Sequence, residues 1–279
     1  MARQGKDLHR RDISVIEWIN PVDSLQQIQF CLFDFDGTLS LIRGGWQEVM
    51  ISYGVEVLQE TKTDEMAWQL EELVTEFVTE LTGKQTIYQM IRLAEEVKLR
   101  GKEPADPLDY KHEYLRRLML RVGHRRQGLL DGTIDPEELL VPGSIQLLTL
   151  LQERGITMYL ASGTDDPDVK LEAKALGIDG YFAGIFGALD DYKRFSKAMV
   201  IERIISAHNI DGSRLLGFGD GFVEIENVKE VGGIAIGVAS DETGQGGMDS
   251  WKRERLIAAG ADGIIADYQD LTWLEKALS

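Results

Sequence analysis

Two carboxylates, Asp34 and Asp36, are the residues of this sequence best placed to do chemistry. They follow an unbroken apolar run, Phe30 to Phe33, which predicts a strand buried on both faces. Gly37 comes next and permits a sharp turn out of the sheet. Carboxylates in such a place are unfavourable unless a metal or hydrogen-bond donors partner them. Because ligands of open α/β sheets bind at the carboxyl ends of the strands, we predict a ligand site here.

Three more polar segments stand where a predicted strand ends or a predicted helix begins. Ser162 follows a strand, and its hydroxyl and the neighbouring backbone N–H groups can bind a phosphate oxygen, although Ser-Gly-Thr is also common in turns. Lys197 begins a helix, where a cation is unfavourable beside the helix dipole unless an anion lies near. Lys193 is the alternative candidate for the functional lysine of this segment. Asp220 ends another strand, and Glu224 lies in the first turn of the following helix, where acids are favoured in any case.

These four segments, in this order, resemble the four motifs of the haloacid dehalogenase superfamily of aspartyl phosphohydrolases. Residues 34–40, Asp-Phe-Asp-Gly-Thr-Leu-Ser, are similar to the first motif. Ser162 matches the second motif and Lys197 the third. The Gly-Asp pair that ends at Asp220, followed by Glu224, is similar to the fourth motif, in which the second acid is more often Asp.

The resemblance implies a catalytic role for four residues. Asp34 would be the nucleophile and would form an aspartyl-phosphate. Asp36 would protonate the leaving alkoxide and later take a proton from water. Ser162 and Lys197 would hold the oxygens of the transferring phosphoryl group. An Asp at position 36 is similar to the phosphatase and phosphomutase branches and speaks against the dehalogenase branch.

Mg²⁺ is the cofactor that the resemblance implies, because ligand sets made only of oxygen favour it. The expected ligands are the side chains of Asp34 and Asp220 and the backbone carbonyl of Asp36. Glu224 is expected as an outer partner of the metal. Since a carboxylate and a phosphate repel each other, a cation between them is needed for the reaction.

Residues that contact the substrate are indicated less clearly. We expect this role for Thr38, Gly163, Thr164 and Arg43, and for Arg43 a structural role at the hinge is an equally good interpretation. A basic cluster on a predicted helix either receives an anionic tail of the substrate or, as is usual for charge runs, forms a solvated face. This cluster consists of His112, Arg116, Arg117, Arg121, His124, Arg125 and Arg126.

The elements around these residues predict an α/β protein. From residue 142 onward strands and helices alternate, which is typical of a parallel sheet with helices on both faces. Residues 45–126 have helical periodicity with little strand signal. The resemblance implies a Rossmann-like three-layer core of the haloacid dehalogenase type with an inserted α-helical cap. The predicted parts are an N-terminal extension packing on the core, 1–27, the core, 28–41 plus 140–279, and the cap, 42–139.

The composition limits the partners. The chain has 279 residues, 43% of them hydrophobic, and a net charge of −17, which argues against nucleic acid and anionic membranes as partners. The single cysteine, Cys31, cannot form a disulfide within the chain and fits a reducing compartment. The first twelve residues lack the apolar core of a signal peptide. We therefore expect a cytoplasmic protein that acts on a small phosphorylated metabolite, with its oligomeric state open.

The sequence thus predicts a Mg²⁺-dependent phosphatase that hydrolyses a small phosphomonoester, such as a sugar phosphate, a phosphoglycolate-like acid or a nucleotide. A phosphomutase on the same scaffold is one alternative, and it needs a cap that keeps water from the aspartyl-phosphate. A non-catalytic phosphate-binding regulatory module is the other, because a fold alone does not fix function. The presence of both leading acids, Asp34 and Asp36, weighs against that module.

Overall fold

The fold is built on one sheet of seven strands, as a computed structural model of residues 16–242 and 247–279 describes it. The strands are β1 (Glu17–Trp18), β2 (Phe30–Phe33), β3 (Thr157–Asp165), β4 (Phe182–Ala188), β5 (Leu215–Gly219), β6 (Ile234–Val238) and β7 (Gly263–Ile265). Their order across the sheet is β1-β7-β6-β5-β2-β3-β4. All neighbours are parallel except β1, which runs antiparallel to β7. The predicted α/β class is confirmed.

The helices fall into two groups. The first four of the five helices between β2 and β3 are called the helical insertion below: α1 (Trp46–Gln59), α2 (Ala67–Glu80), α3 (Thr86–Leu99) and α4 (Pro107–Asp131). The others alternate with the strands: α5 (Ser144–Glu153), α6 (Asp166–Ala175), α7 (Lys197–His208), α8 (Phe222–Glu230), α9 (Ser250–Ala258) and α10 (Thr272–Ala277). The helical insertion has an apolar cluster of its own, around Tyr53, Val74 and Phe77.

The central strand β2 is buried on both faces, as its apolar sequence predicts. Successive side chains of a strand point to opposite faces, so Cys31 and Phe33 join one apolar cluster and Phe30 and Leu32 join another. Phe33 also stacks on Phe218 of β5, with 5.1 Å between the ring centroids. Burial on both faces fixes the position of β2, and therefore of the carboxylates that follow it.

The register of the sheet aligns the ends of three strands. Phe33 at the end of β2 lies opposite Leu160 of β3 on one side and Phe218 of β5 on the other. The residues that follow these three positions therefore emerge at the same edge. Asp34, Ser162 and Asp220 all lie within two residues of that line.

One predicted boundary is wrong. The sequence predicts that Ser162 follows the strand, but β3 continues to Asp165 and includes Ser162. Neighbouring β4 continues to Ala188 and pairs with Asp165, although the register shifts between Ala161 and Asp165. The polar residues of this segment are therefore held in an irregular extension of the sheet rather than in a free turn.

The described part of the N-terminal segment lies along the outer edge of the sheet, where β1 pairs with β7. Trp18 packs edge-on against Trp273, with 5.6 Å between ring centroids, and Glu17 forms an ion pair with Arg253. Residues 1–15 of the predicted extension lie outside the described residues. Among the helices that the structure describes, none has the length and apolar character needed to cross a membrane.

Candidate active site

A small cavity lies where the aligned strand ends face the helical insertion. Its volume is about 90 Å³. The residues of the sheet side that line it are Asp34, Asp36, Arg43, Ser162, Gly163, Thr164, Lys197 and Asp220. The residues from the helical insertion are Trp46, Thr82, Gly83, Lys84, Thr86, Gln89, Tyr114, Leu115 and Leu118. The structure thus brings together most of the residues that the sequence singles out.

Lys197 binds the first of the two leading carboxylates. Its Nζ lies 2.8 Å from Oδ1 of Asp34, and both side chains are buried. The same ammonium forms an ion pair with Glu224. Lys197 stands at the first position of α7, after the N-cap Ser196, so the two carboxylates are the anions that explain a cation at a helix N-terminus. Lys193 is exposed and lies over the ring of Tyr192 instead.

Burial raises the pKa of the Asp34 carboxyl to about 6, although Lys197 lowers it, and the nearby charge of Asp220 adds to the rise. A further cation beside the two carboxylates would favour their ionised forms. With a pKa of about 6, Asp34 is mostly ionised at neutral pH, as a nucleophilic role requires.

Asp36 has one oxygen engaged and one unpaired. Its Oδ2 accepts a hydrogen bond of 2.7 Å from the hydroxyl of Thr164, whereas its buried Oδ1 has no hydrogen-bond partner among the described residues. Burial raises the pKa of Asp36 to about 7, with Arg43 acting in the opposite direction and the carboxylate of Glu172 adding to the rise. A carboxyl group that keeps its proton near neutral pH can donate it to a leaving group.

Asp220 is held from two sides. Its backbone N–H donates to the hydroxyl of Thr38 at 2.9 Å, and its Oδ2 lies 2.8 Å from the ammonium of Lys252. Lys252 is buried and also pairs with Glu242 at 2.6 Å. Gly37 has a positive φ of 73°, and a Cβ there would collide with the Asp220 carboxylate. The turn after Asp36 therefore needs glycine both for its conformation and for space.

The predicted substrate-contacting residues occupy different places. Thr164 lines the cavity and binds Asp36, and Gly163 lines it where the insertion approaches, since a Cβ there would lie 3.1 Å from the Lys84 carbonyl oxygen. Thr38 differs from the expectation: it is fully buried, is not among the lining residues, and its hydroxyl is bound to Asp220.

Arg43 lines the cavity but is already paired. Its Nε and Nη2 donate to the two carboxylate oxygens of Glu172 at 3.0 and 2.9 Å, and Asp168 lies 3.5 Å from Nη2. Glu172 is fully buried. These contacts support a structural role for Arg43 at the hinge, and Arg43 also lines the cavity.

Arginines of the basic cluster on α4 form ion pairs with neighbouring acids, and no member of the cluster lines the cavity. Arg117 binds Glu56 and Glu113, Arg121 binds Glu48, and Arg126 binds Asp168 at 3.0 Å. These contacts favour the interpretation of the cluster as structural pairing over a binding surface for a substrate tail.

Two important partners, Lys252 and Glu172, are not indicated by the motifs of the sequence. Both are charged residues in short, highly charged helices, so composition does not distinguish them. The usable signal is helical spacing: Lys252 lies one turn before the buried Leu256, and Glu172 lies three residues after the buried Val169. A charged residue in phase with a buried face predicts a buried ion pair.

The donor atoms fit a hard cation such as Mg²⁺. The ion pairs with Lys197 and Lys252 use Oδ1 of Asp34 and Oδ2 of Asp220, so each carboxylate has a second oxygen outside its ion pair. In residues 16–242 and 247–279, no group of three or more His, Cys, Asp or Glu side chains is arranged to hold a metal by itself. Two carboxylates and a backbone carbonyl match Mg²⁺, which keeps several of its own water ligands. Glu224 lies against Lys197, which suits an outer role.

Comparison with known proteins identifies the family. Residues 28–232 match the family model described as haloacid dehalogenase-like hydrolase. The chain therefore belongs to the haloacid dehalogenase-like hydrolases, and the predicted membership is confirmed. A search of curated proteins found no match.

Solved structures share the fold. A predicted phosphoglycolate phosphatase from Haemophilus somnus 129PT has a TM-score of 0.57 and 17% identity over 89% of this chain and 98% of its own. A β-phosphoglucomutase from Clostridium difficile has a TM-score of 0.59 and 15% identity, over 90% and 97% of the two chains. A predicted phosphatase from Clostridium acetobutylicum has a TM-score of 0.57 and 19% identity, over 89% and 99%. The fold is thus one that phosphatases and phosphomutases share.

The ion pairs of Lys197 can be tested by stability. In Lys197→Met the buried carboxylates of Asp34 and Glu224 lose their cation, and an uncompensated buried charge is strongly destabilising. We expect the free energy of unfolding to fall by about 3 kcal/mol, measured by chemical denaturation at mildly alkaline pH. The matched control is Lys193→Met, at an exposed position, which is expected to change stability by less than about 0.5 kcal/mol. Equal, small effects of both variants would contradict the central place of Lys197.

Proposed function

We propose that this protein is a Mg²⁺-dependent phosphatase that hydrolyses a small phosphomonoester through an aspartyl-phosphate on Asp34. The observation that carries the proposal is the pairing of two unlike carboxyl groups in one cavity. Asp34 is bound by the Lys197 ammonium at 2.8 Å, whereas Asp36 presents a buried oxygen without a partner among the described residues. One group is suited to attack and the other to proton transfer.

The chemistry of the first half-reaction follows from these positions. A carboxylate oxygen of Asp34 attacks phosphorus, and the bond between phosphorus and the ester oxygen breaks. Asp36 gives its proton to the departing alkoxide, which leaves as an alcohol. The Ser162 hydroxyl and the Lys197 ammonium bind the equatorial oxygens while charge redistributes among them.

In the second half-reaction Asp36, now ionised, takes a proton from water as that water attacks the phosphorus of the aspartyl-phosphate. Asp34 is released as a carboxylate and inorganic phosphate leaves. Mg²⁺, held by the side chains of Asp34 and Asp220 and the Asp36 carbonyl, would neutralise the repulsion between carboxylate and phosphate. Glu224 would keep Lys197 oriented through their ion pair.

The helical insertion acts in this proposal as the cap that excludes bulk water, over the predicted range 42–139. Contacts across the cavity support such a role. Lys111 of α4 lies 2.7 Å from Asp165 at the end of β3, and the Gln85 amide donates to the Phe195 carbonyl oxygen at 2.8 Å. The same closure supports the alternative of a phosphomutase, in which water is kept from the intermediate.

The proposal includes a cytoplasmic location and a small metabolite as partner. Cys31 is fully buried in β2, where it acts as a small apolar residue. A reducing compartment suits a chain with a single cysteine.

The activity is tested by phosphate release from a panel of sugar phosphates, phosphorylated acids and nucleotides, with and without Mg²⁺. We expect Mg²⁺-dependent release by the wild-type protein, and a loss of about 10⁴-fold or more in Asp34→Asn because the nucleophile is gone. Asp179→Asn, at an exposed position far from the cavity, is the matched control and should retain full activity. Equal rates for Asp34→Asn and wild type would overturn the proposal. Absence of release together with a trapped aspartyl-phosphate would favour the mutase, and absence of both would favour a binding module.

Metal binding is tested without any substrate. Mg²⁺ at about one hundred times its Kd is expected to raise the free energy of unfolding of the wild type by about 2.7 kcal/mol, because it binds the native state alone. Asp220→Asn should lose most of this increase, and Asp179→Asn should keep it. Thermal unfolding with and without Mg²⁺ measures the effect. An undiminished increase in Asp220→Asn would contradict the proposed ligand set.

A further inference from the structure

The part of the cavity wall that would face the leaving group carries little charge. The helical insertion supplies aromatic and aliphatic side chains, Trp46, Tyr114, Leu115 and Leu118. It also supplies neutral hydrogen-bonding side chains, Thr82, Thr86 and Gln89. Such a surface suits a group with hydroxyls and C–H faces, since aromatic rings cover the C–H faces and the amide and hydroxyls bind the oxygens.

Three cations line the cavity in the described part of the chain: Lys197, Arg43 and Lys84. Lys197 is bound to Asp34 and Glu224 and serves the transferring phosphoryl group. A second anionic group of the substrate would therefore have to bind to Arg43 or to Lys84.

Arg43 is electrically compensated where it stands. Its bidentate hydrogen bonds go to Glu172, which is fully buried, and Asp168 lies 3.5 Å away. Arg126 of α4 contacts the same two acids, at 3.0 Å from Asp168 and 3.9 Å from Glu172. Two guanidinium groups thus face two carboxylates, so the cluster has no net charge. The hydrogen bonds to Glu172 leave Nη1 of Arg43 unused, but an anion bound there would meet a guanidinium whose charge the two acids already balance. Displacing Glu172 instead would leave a buried carboxylate without its partner.

Lys84 lies at the rim and its side chain is exposed. An ammonium on a flexible side chain in water interacts weakly with a partner charge, because solvent and salt screen it. On the opposite side the carboxylates of Asp36 and Asp220 add negative potential, and Glu172 lies behind Arg43. A second negative charge on the leaving group would meet no free buried cation among the described residues.

The size of the cavity limits the leaving group as well. The volume is about 90 Å³, and the transferring phosphoryl group has to share it with the leaving group. With the helical insertion in its present position, this space suits a compact leaving group better than a nucleoside.

We propose that the leaving group of the substrate is a small uncharged polyol, and that the Arg43–Glu172 pair makes the site reject esters with a second acidic group. This inference rests on the proposed phosphatase function and narrows it. Glu172 is here a positioning residue: it fixes the Arg43 guanidinium and compensates its positive charge. Phosphoglycolate-like acids, bisphosphates and nucleotides are then poor substrates.

The test compares esters matched in size and different in charge: glycerol 1-phosphate against 3-phosphoglycerate, with an aryl phosphate as a reporter that makes few demands on the site. With the wild-type protein and Mg²⁺, we expect kcat/KM for glycerol 1-phosphate to exceed that for the acid at least 100-fold. If the aryl phosphate is hydrolysed but kcat/KM for 3-phosphoglycerate equals or exceeds that for glycerol 1-phosphate, this inference alone is overturned. Failure to hydrolyse any of the three would overturn the proposed function and this inference with it.

Two variants show whether the pair causes the preference. Glu172→Gln removes the compensating charge, so the ratio of kcat/KM for the acid to that for the neutral ester should rise at least tenfold, mainly through a lower KM for the acid. A loss of packing alone would lower both rates together and leave the ratio unchanged, which would overturn the role of Glu172. Glu153→Gln, at an exposed position, is the matched control, and Lys84→Gln should leave the ratio within twofold of wild type. A Lys84→Gln effect as large as that of Glu172→Gln would contradict the minor role of the rim lysine.

Discussion

Carboxylates from three separate segments meet at one edge of the sheet, and two buried ammonium groups balance part of their charge. Lys197 lies between Asp34 and Glu224, and Lys252 lies between Asp220 and Glu242. Without these cations the acids would repel each other in a region with little water. The balance is incomplete, because four carboxylates share two ammonium groups. Burial, with a smaller contribution from the nearby charge of Asp220, raises the pKa of Asp34 to about 6. A divalent cation would neutralise the remaining negative charge and so allow an anionic phosphoryl group to bind.

The helical insertion is attached to this charged edge by ion pairs rather than by apolar contact alone. Lys111 reaches Asp165 and Asp190, and Arg126 reaches Asp168. The backbone of the insertion also passes close over Gly163. Groups that close the cavity are therefore adjacent to the segments that would bind phosphate, so closure and substrate binding are expected to be coupled. The half of the cavity lined by the helical insertion is mostly uncharged, whereas the half lined by the sheet edge is acidic.

The sequence was most informative where chemistry follows a strand. An apolar run ending in two acids predicts β2 and the site after it, because charge at the end of a buried strand is unfavourable unless a ligand or a counter-charge partners it. The parallel register then brings Asp34 and Asp220 together, which the alternating pattern of strands and helices also predicts. The sequence favours Lys197 over Lys193 for the third motif, and in the structure it is Lys197 that contacts Asp34.

What the sequence could not supply are partners distant along the chain. Arg43 and Glu172 are 129 positions apart, and no local pattern joins them. Lys252 likewise meets Asp220 only because α9 and the end of β5 fold to the same edge. Substrate contact is the role predicted for Thr38, but its hydroxyl accepts a hydrogen bond from the Asp220 backbone. A motif thus identifies the neighbourhood of a residue, while the contacts decide its role.

If Asp34 is the nucleophile, it carries the phosphate in the intermediate, so identifying the phosphorylated residue tests its role directly. An aryl phosphate, whose leaving group needs little help from an acid, would be mixed with Asp36→Asn, in which hydrolysis of the intermediate is slowed. Acid quench and mass spectrometry of the peptides then locate the phosphate. Phosphate is expected on Asp34, and none on this peptide when the substitution Asp34→Asn is added. Phosphate on another residue, or turnover with no phosphorylated peptide at any time, would contradict it.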